Sequence, residues 1–159
     1  MDRLLSLLQN NARLTNKQLA VMLGREEEEV AKAIAAYEKS GVIRGYQAVI
    51  DWDKTDSPTV FARIEIKVTP KKDFGFEEIA RTIMELEEVQ SVSLMSGGYD
   101  LQLVIKGQTF QEIALFVAKR LSPLDDVLST ATHFVLRTYK KEGRLYQDEE
   151  IDERECTVL

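Results

Sequence analysis

Cysteine is nearly absent: Cys156 stands alone in a charged C-terminal stretch. A disulfide framework and a thiolate metal cluster are thereby excluded. Histidine is equally scarce, with His133 the single representative. No nucleophile paired with a base, no metal-ligand cluster and no phosphate-cradling loop can be read from the chain. Long apolar runs are missing as well. No stretch approaches the roughly 18 residues of a membrane span, and no basic region followed by an apolar one opens the N-terminus. These absences predict a soluble, untargeted, cytoplasmic chain with no cofactor, no metal and no membrane partner. Nor is there an excess of positive charge, since the formal net charge is −6.

The distribution of charge says more than its sum. Residues 1–50 carry seven Lys and Arg against six Asp and Glu, residues 51–140 eleven against fourteen, and residues 141–159 three against seven. The head is nearly neutral and the tail acidic. With 159 residues, 44% of them hydrophobic, the chain can bury one large core or two small ones.

The head reads as three short helices. Leu4, Leu5, Leu7 and Leu8 form the face of a first helix ending near Asn10 and Asn11. In "LTNKQLAVML", Thr15 and Gln18 make a capping box and Leu14 and Leu19 a hydrophobic staple, with Leu19, Met22 and Leu23 as the buried stripe and Gly24 at the stop. On the third helix Val30, Ile34 and Tyr37 face inward while Glu28, Glu29, Lys32, Ala36 and Lys39 point outward, until "KSG" ends it at Gly41. "VIRGYQAVID" then has strand character, with Gly45 a turn or bulge. Three helices and a strand predict a winged helix-turn-helix.

"DWDKTDSP", residues 51–58, suits a linker. Beyond it Val60, Ala62, Ile64, Ile66 and Val68 alternate with Phe61, Arg63, Glu65 and Lys67, the period of a half-buried strand. A helix follows, with Asp73 as N-cap, Glu77 and Glu78 in its first turn, and Phe76, Ile79, Ala80 and Ile83 inward. "VQSVSLM" and "LQLVIK" form a hairpin around "SGGYD". Thr109 and Glu112 make a second capping box for a helix with Phe110, Ile113, Ala114, Val117 and Leu121 inward, closed by Pro123. A last strand spans roughly Ser129 to Tyr139. The order is that of a ferredoxin-like βαββαβ domain over residues 59–140, and residues 141–159 have too few apolar side chains for a core, predicting a mobile acidic tail.

The head at residues 1–50, the linker and this body, carrying "NARLTNKQLA", "GVIRGYQAVID" and "SGGYDLQL" in order, resemble the Lrp/AsnC (feast/famine) family of transcription regulators over about residues 3–140. The resemblance implies an α+β fold: a winged helix-turn-helix followed by a ferredoxin-like (RAM) effector and oligomerisation domain. It further implies double-stranded DNA as partner, a homodimer built up to a tetramer or octamer, and an amino acid or related small effector bound between domains. "SGGYD" matches the family's G-x-Y-D turn, implying Gly97, Gly98, Tyr99 and Asp100 at the effector; "STATHF" matches its T-x-T element, implying Thr130 and Thr132 beside it. Physically, glycine-turn N–H groups can take a carboxylate and Asp100 can accept from an amine. Equally, the glycines can simply make the turn and Asp100 simply cap it.

The third helix departs from the family. Where a Leu-Ser pair usually opens it, Arg25 and Glu26 stand here, and Glu26 to Glu29 follow one another. Carboxylates in a first turn complement the helix dipole by about 0.3–1 kcal/mol each. Toward DNA they are adverse: one about 6 Å from a phosphate costs roughly 0.7 kcal/mol in water, and four about 2–3 before screening. Avidity of roughly 10² to 10⁴ in an oligomer can offset that loss. Phosphate positioning falls to Arg13, Lys17, Lys32, Lys39 and Arg44, with Thr15 and Asn16 as donors at a helix start and Ala36 permitting close approach to a base. Two alternatives compete with a DNA-binding regulator: a sensor that no longer binds DNA unaided, and an enzyme like the siroheme decarboxylases, for which His133 is the one titratable donor of its type.

Overall fold

The computed structural model describes residues 2–57, 59–69 and 75–146. The chain divides into two compact units, Met1–Val49 and Ile50–Leu159.

The first unit consists of α1 (Arg3–Asn10), α2 (Asn16–Leu23) and α3 (Glu27–Ser40). Asp2 caps α1, its carboxylate accepting from the Leu4 and Leu5 N–H groups. The capping box of α2 is formed in both directions between Thr15 and Gln18. α3 starts at Glu26 without a side-chain cap, so the three glutamates of its first turn act on its free N–H groups through charge alone. Gly24 and Gly41 end α2 and α3 in the left-handed region, at φ 65° and 74°.

Leu4, Leu8, Leu19, Ala20 and Val30 form the core of this unit, with Leu14, Ile34 and Tyr37 packed around it. Met22 is not part of it, being 45% exposed, and Ala20 takes its place. The two lie at about equal angles on either side of the Leu19–Leu23 line. Periodicity does not choose between them, and packing selects the smaller side chain, which lets neighbouring helices approach. The expected strand after Gly41 is also corrected. Residues 42–51 are in no ladder, and Val42, Tyr46 and Val49 are exposed. A strand needs a neighbouring strand for its N–H and C=O groups; among the described residues this segment has only isolated bonds, among them those from the Ile43 N–H to the Tyr37 carbonyl and from the Tyr146 hydroxyl to the Ile50 carbonyl.

The second unit opens with a 3₁₀ turn, Trp52–Lys54, inside the expected linker. An antiparallel sheet follows, in the order β2-β3-β1-β4, from β1 (Val60–Val68), β2 (Val89–Leu94), β3 (Leu101–Gly107) and β4 (Val127–Phe134). α4 (Glu77–Met84) links β1 to β2, and α5 (Phe110–Phe116), continued by a π-helical turn Val117–Leu121, links β3 to β4. Alternation in β1 and β3 delivers Ala62, Ile64, Ile66, Val68, Leu101, Leu103 and Ile105 to one face, where Ile79, Ile83, Ile113, Phe116, Val117 and Leu121 of the helices cover them. Each of the larger side chains contributes about 1.5–3 kcal/mol, the Ala62 methyl less.

Several boundaries move. Asp73, the expected cap of α4, lies outside the described residues; the N-cap position is Phe76, which makes no capping bond. In α5, Phe116 is buried whereas Phe110 is 50% exposed and Ala114 also faces out. Burying a phenyl ring removes more apolar surface from water than burying a methyl, and Phe110, at the first helical position, stacks edge-on against Phe134 at 4.9 Å. The second capping box is half formed: Thr109 accepts from the Glu112 N–H, but Glu112 reaches past it to the Gln108 N–H. β4 stops at Phe134 rather than Tyr139, because β1 begins at Val60 and offers no further pairing beyond the bond from Val135 N–H to Phe61. Residues 140–146, largely assigned to the tail, form a hairpin of β5 (Lys140–Lys141) and β6 (Arg144–Leu145). Glu142 and Gly143 turn it at φ 47° and 77°, the double positive of a tight two-residue loop.

Candidate nucleic-acid interface and effector loop

On the first unit the named residues fall into two groups. Arg13, Thr15, Asn16 and Lys17 gather at the start of α2, all exposed. Thr15 has little left to offer a phosphate. Its N–H donates to Gln18 Oε1 at 2.9 Å and its hydroxyl to the same oxygen at 3.2 Å. The free N–H groups of the first turn, with the Lys17 and Arg13 cations beside them, remain as donors for an anion. Lys32, Ala36 and Lys39 share one exposed face of α3 at spacings of four and three residues. Lys32 is paired with Glu28 at 2.7 Å, both side chains at least 75% exposed. Such a pair is worth about 0.3–0.5 kcal/mol to the helix, yet it cancels the central cation of the face. Arg44 lies past the C-cap, its guanidinium so close to Gly41 that a Cβ there would stand 3.3 Å from Cζ.

A tie that the sequence does not announce supports this face. Tyr37 of α3 donates its hydroxyl to Asp2 Oδ2 at 2.5 Å, across 35 residues. The bond holds the Asp2 carboxyl below its ordinary range, helped by the Leu4 N–H, and raises the Tyr37 phenol. Neither the capping role of Asp2 nor its bond to Tyr37 is anticipated from the sequence; an aspartate directly ahead of the Leu4–Leu8 run is the signal that could have suggested the cap. Tyr46 likewise donates to Glu38 Oε1 at 2.9 Å, tying the extended segment back to α3.

On the second unit, Met95–Asp100 joins β2 to β3. Gly97 has φ 132°, a value disfavoured for any side chain, and both Gly97 and Gly98 border open space. Both residues are exposed. Tyr99 is half-buried, its hydroxyl accepting from Gln102 Nε2 at 3.1 Å. Asp100 continues the ladder: its N–H donates to the Ile66 carbonyl and its Oδ2 accepts from the Val68 N–H, each at 2.9 Å. One carboxylate oxygen thus caps β1, and no hydrogen bond to the other occurs among the described residues. Thr130 and Thr132 pair with Ile66 and Ile64 on the far side of β1. Asp100 and Thr130 lie about two strand spacings apart, roughly 10 Å, at the same end of the sheet. Thr132 is one register further off. Thr130 Oγ1 stands 3.5 Å from Ser122 Oγ, which follows α5. No cluster of three His, Cys, Asp or Glu that could hold a metal occurs among the described residues. His133 stands 3.6 Å from Glu65 on the sheet and is exposed.

Comparison with known proteins covers both units. A family described as Lrp/AsnC ligand binding domain matches residues 61–145, and one described as winged helix-turn-helix DNA-binding matches residues 3–44. The HTH-type transcriptional regulator YugG of Bacillus subtilis is 44% identical over 95% of this chain and 92% of its own length. The leucine-responsive regulatory protein of Haemophilus influenzae is 30% identical over 87% and 83%. Among solved structures, a transcriptional regulator of Neisseria meningitidis in complex with L-Met shares the fold at TM-score 0.72 and 24% identity, over 89% of this chain and 93% of its own. AsnC of Escherichia coli does so at 0.69 and 20%, over 89% and 95%. The chain belongs to the Lrp/AsnC family of transcription regulators, with a winged helix-turn-helix for DNA and a ligand-binding body.

Proposed function

We propose that this protein is a one-component regulator in the cytoplasm whose head contacts double-stranded DNA and whose SGGYD loop takes an amino acid or related small effector. The observation that carries the reading is that one chain joins the two matched domains, each with an exposed, polar candidate site. In the head, Asn16 with Lys17 and Arg13 positions a phosphate at the start of α2, and Lys39 and Arg44 add positive charge at the far end of α3. Ala36 allows α3 to lie close in a major groove. In the body, the N–H groups of Gly97 and Gly98 take a carboxylate and the remaining Asp100 oxygen takes an ammonium group, with Tyr99, Thr130 and Thr132 lining the approach.

The working form is a homodimer or higher homo-oligomer. Two observations support it: the unpaired segment after Gly41, and the sheet face opposite the helices, where Phe61 and Val104 are half-buried among Arg63, Glu65 and Lys67. Because a relative's structure holds L-Met, L-Met is the first effector to try. Fluorescence anisotropy on the DNA upstream of the protein's own gene, with and without amino acids, tests the reading. Salt-sensitive binding that shifts with one amino acid, and no shift in Asp100→Ala, is the expected result. Binding that no amino acid alters removes the effector half of the proposal.

A further inference from the structure

The chain between Tyr46 and Thr55 is fastened at its two ends and loose in its middle. On the head side, the Tyr46 hydroxyl is bonded to Glu38 Oε1. Gln47, Ala48 and Val49 follow, all exposed and without a hydrogen bond among the described residues. The body begins at Ile50, and from there the chain is held by side chains that come from far along the sequence. Tyr146 donates its hydroxyl to the Ile50 carbonyl at 3.1 Å, across 96 residues. Two residues on, the half-buried Trp52 ring lies beneath the Lys106 ammonium at 3.9 Å. The 3₁₀ turn sets that ring: Asp51 accepts from the Asp53 N–H, and the Trp52 carbonyl accepts from the Thr55 N–H and hydroxyl.

The hairpin that carries Tyr146 is itself seated on the sheet. Lys141 of β5 lies over the Phe61 ring at 5.1 Å, and the Tyr146 N–H closes the hairpin onto the Tyr139 carbonyl at 3.0 Å. Phe61 and Lys106 are register partners in β1 and β3, so their side chains share one face of the sheet. The hairpin and the Trp52 turn therefore meet on that face. Burial, with the Asp51 carboxylate nearby, raises the Tyr146 phenol, which keeps its hydroxyl a donor at neutral pH. Trp52 is the one apolar side chain in residues 51–57, so hydrophobic burial alone does not explain why this polar stretch is pinned down. One ring and one backbone carbonyl are gripped by a cation and a hydroxyl, an arrangement that fixes position.

We propose that Trp52, Lys106 and Tyr146 are positioning residues for DNA binding: they fix the point at which the body releases the chain to the head, and confine the hinge to Gln47–Val49. The expected linker, residues 51–58, then belongs to the body through its 3₁₀ turn. A head on a three-residue tether reaches a narrow range of separations from a neighbouring head, so the assembly selects paired DNA sites by their spacing. That consequence rests on the DNA-binding, oligomeric reading above.

The test compares the full-length protein with the double variant Lys106→Met, Tyr146→Phe, which removes the cation and the hydroxyl with little change in side-chain volume. In amide hydrogen exchange the Thr55 N–H should exchange about tenfold faster in the variant, with the Ile64 and Leu103 amides unchanged. Anisotropy then follows binding to one or two copies of a short duplex from upstream of the protein's own gene, with inserts stepped through a helical turn of roughly 10.5 base pairs. Affinity for one copy should stay within about twofold of the wild type, because no head residue is altered. Between two-copy duplexes the wild type should prefer some inserts by about tenfold or more, and the variant should lose most of that preference. Lys106→Arg, which keeps a cation for the ring, should retain it. Unchanged exchange at Thr55, a spacing preference that the variant keeps, or a wild type indifferent to spacing would overturn the proposal and leave DNA binding standing. A wild type that binds neither one copy nor two would overturn both.

Discussion

The head is held by five buried side chains among the described residues, Leu4, Leu8, Leu19, Ala20 and Val30, whereas thirteen fill the core of the body. Hydrophobic stabilisation scales with the area removed from water, so the body can lose one contact and persist while the head depends on each of its few. The bonds differ accordingly. The head is finished by local polar devices, the Asp2 cap with its Tyr37 bond and the Thr15–Gln18 box; the body relies on strand alternation. A unit of three short helices has little surface to give a core, and caps make up the difference.

Four changes sharpen or break this contrast. Leu19→Ala should cost about 2–5 kcal/mol, enough to unfold the small head while the body still melts cooperatively. Two separated transitions in calorimetry are expected, and a single transition shifted as a whole would refute the independence of the two cores. In the body, Gly107→Ala drives a methyl into Ile113 Cγ1 at 2.9 Å and should cost about 1–3 kcal/mol, lowering the upper transition only. Thr15→Ala removes the cap of α2 and should cost about 1 kcal/mol, read as a drop in the lower transition with the upper unmoved. Smallest is the pH effect of Asp2→Asn.

The sign of that effect follows from linkage. The Asp2 carboxyl is held below its ordinary value of 3.8 in the folded head, so its stabilisation is complete above that value and is lost as pH falls through and below it. The Tyr37 phenol is raised above 10.0, so its share persists below that value and is lost as pH rises beyond it. Asp2→Asn should flatten the acid limb of head stability, measured by the lower transition from pH 5 downward. An acid limb unchanged by the substitution would mean that the bond from Tyr37 carries no linkage.

What the sequence revealed about each unit follows the range of its interactions. The Thr15–Gln18 box spans three residues and the β1 alternation two, so both were legible and both form. The choice of Ala20 over Met22 depends on what α1 and α3 bring to α2, and that of Phe116 over Ala114 on what the sheet leaves room for. No single-helix periodicity carries that information. The expected strand after Gly41 had the right composition but lacks a partner, which composition cannot supply. The SGGYD loop was recognisable because glycine marks its turn, and the dual use of Asp100 emerges only where β1 ends beside it. The bond from Arg120 to Glu88, 32 residues apart, left no trace at all.

We propose that DNA binding turns on the third helix. Glu26 to Glu29 are all exposed, and Glu28 occupies Lys32. The most direct measurement compares the wild type with the triple variant Glu26→Gln, Glu28→Gln and Glu29→Gln on the protein's own upstream DNA, by anisotropy over a salt series. Removing three carboxylates at roughly 0.7 kcal/mol each, and releasing Lys32, predicts about tenfold or tighter binding at low salt, a gain that shrinks as salt rises. Equal affinity of the two proteins at every salt concentration would contradict the account, placing α3 away from the phosphates and the head's function elsewhere.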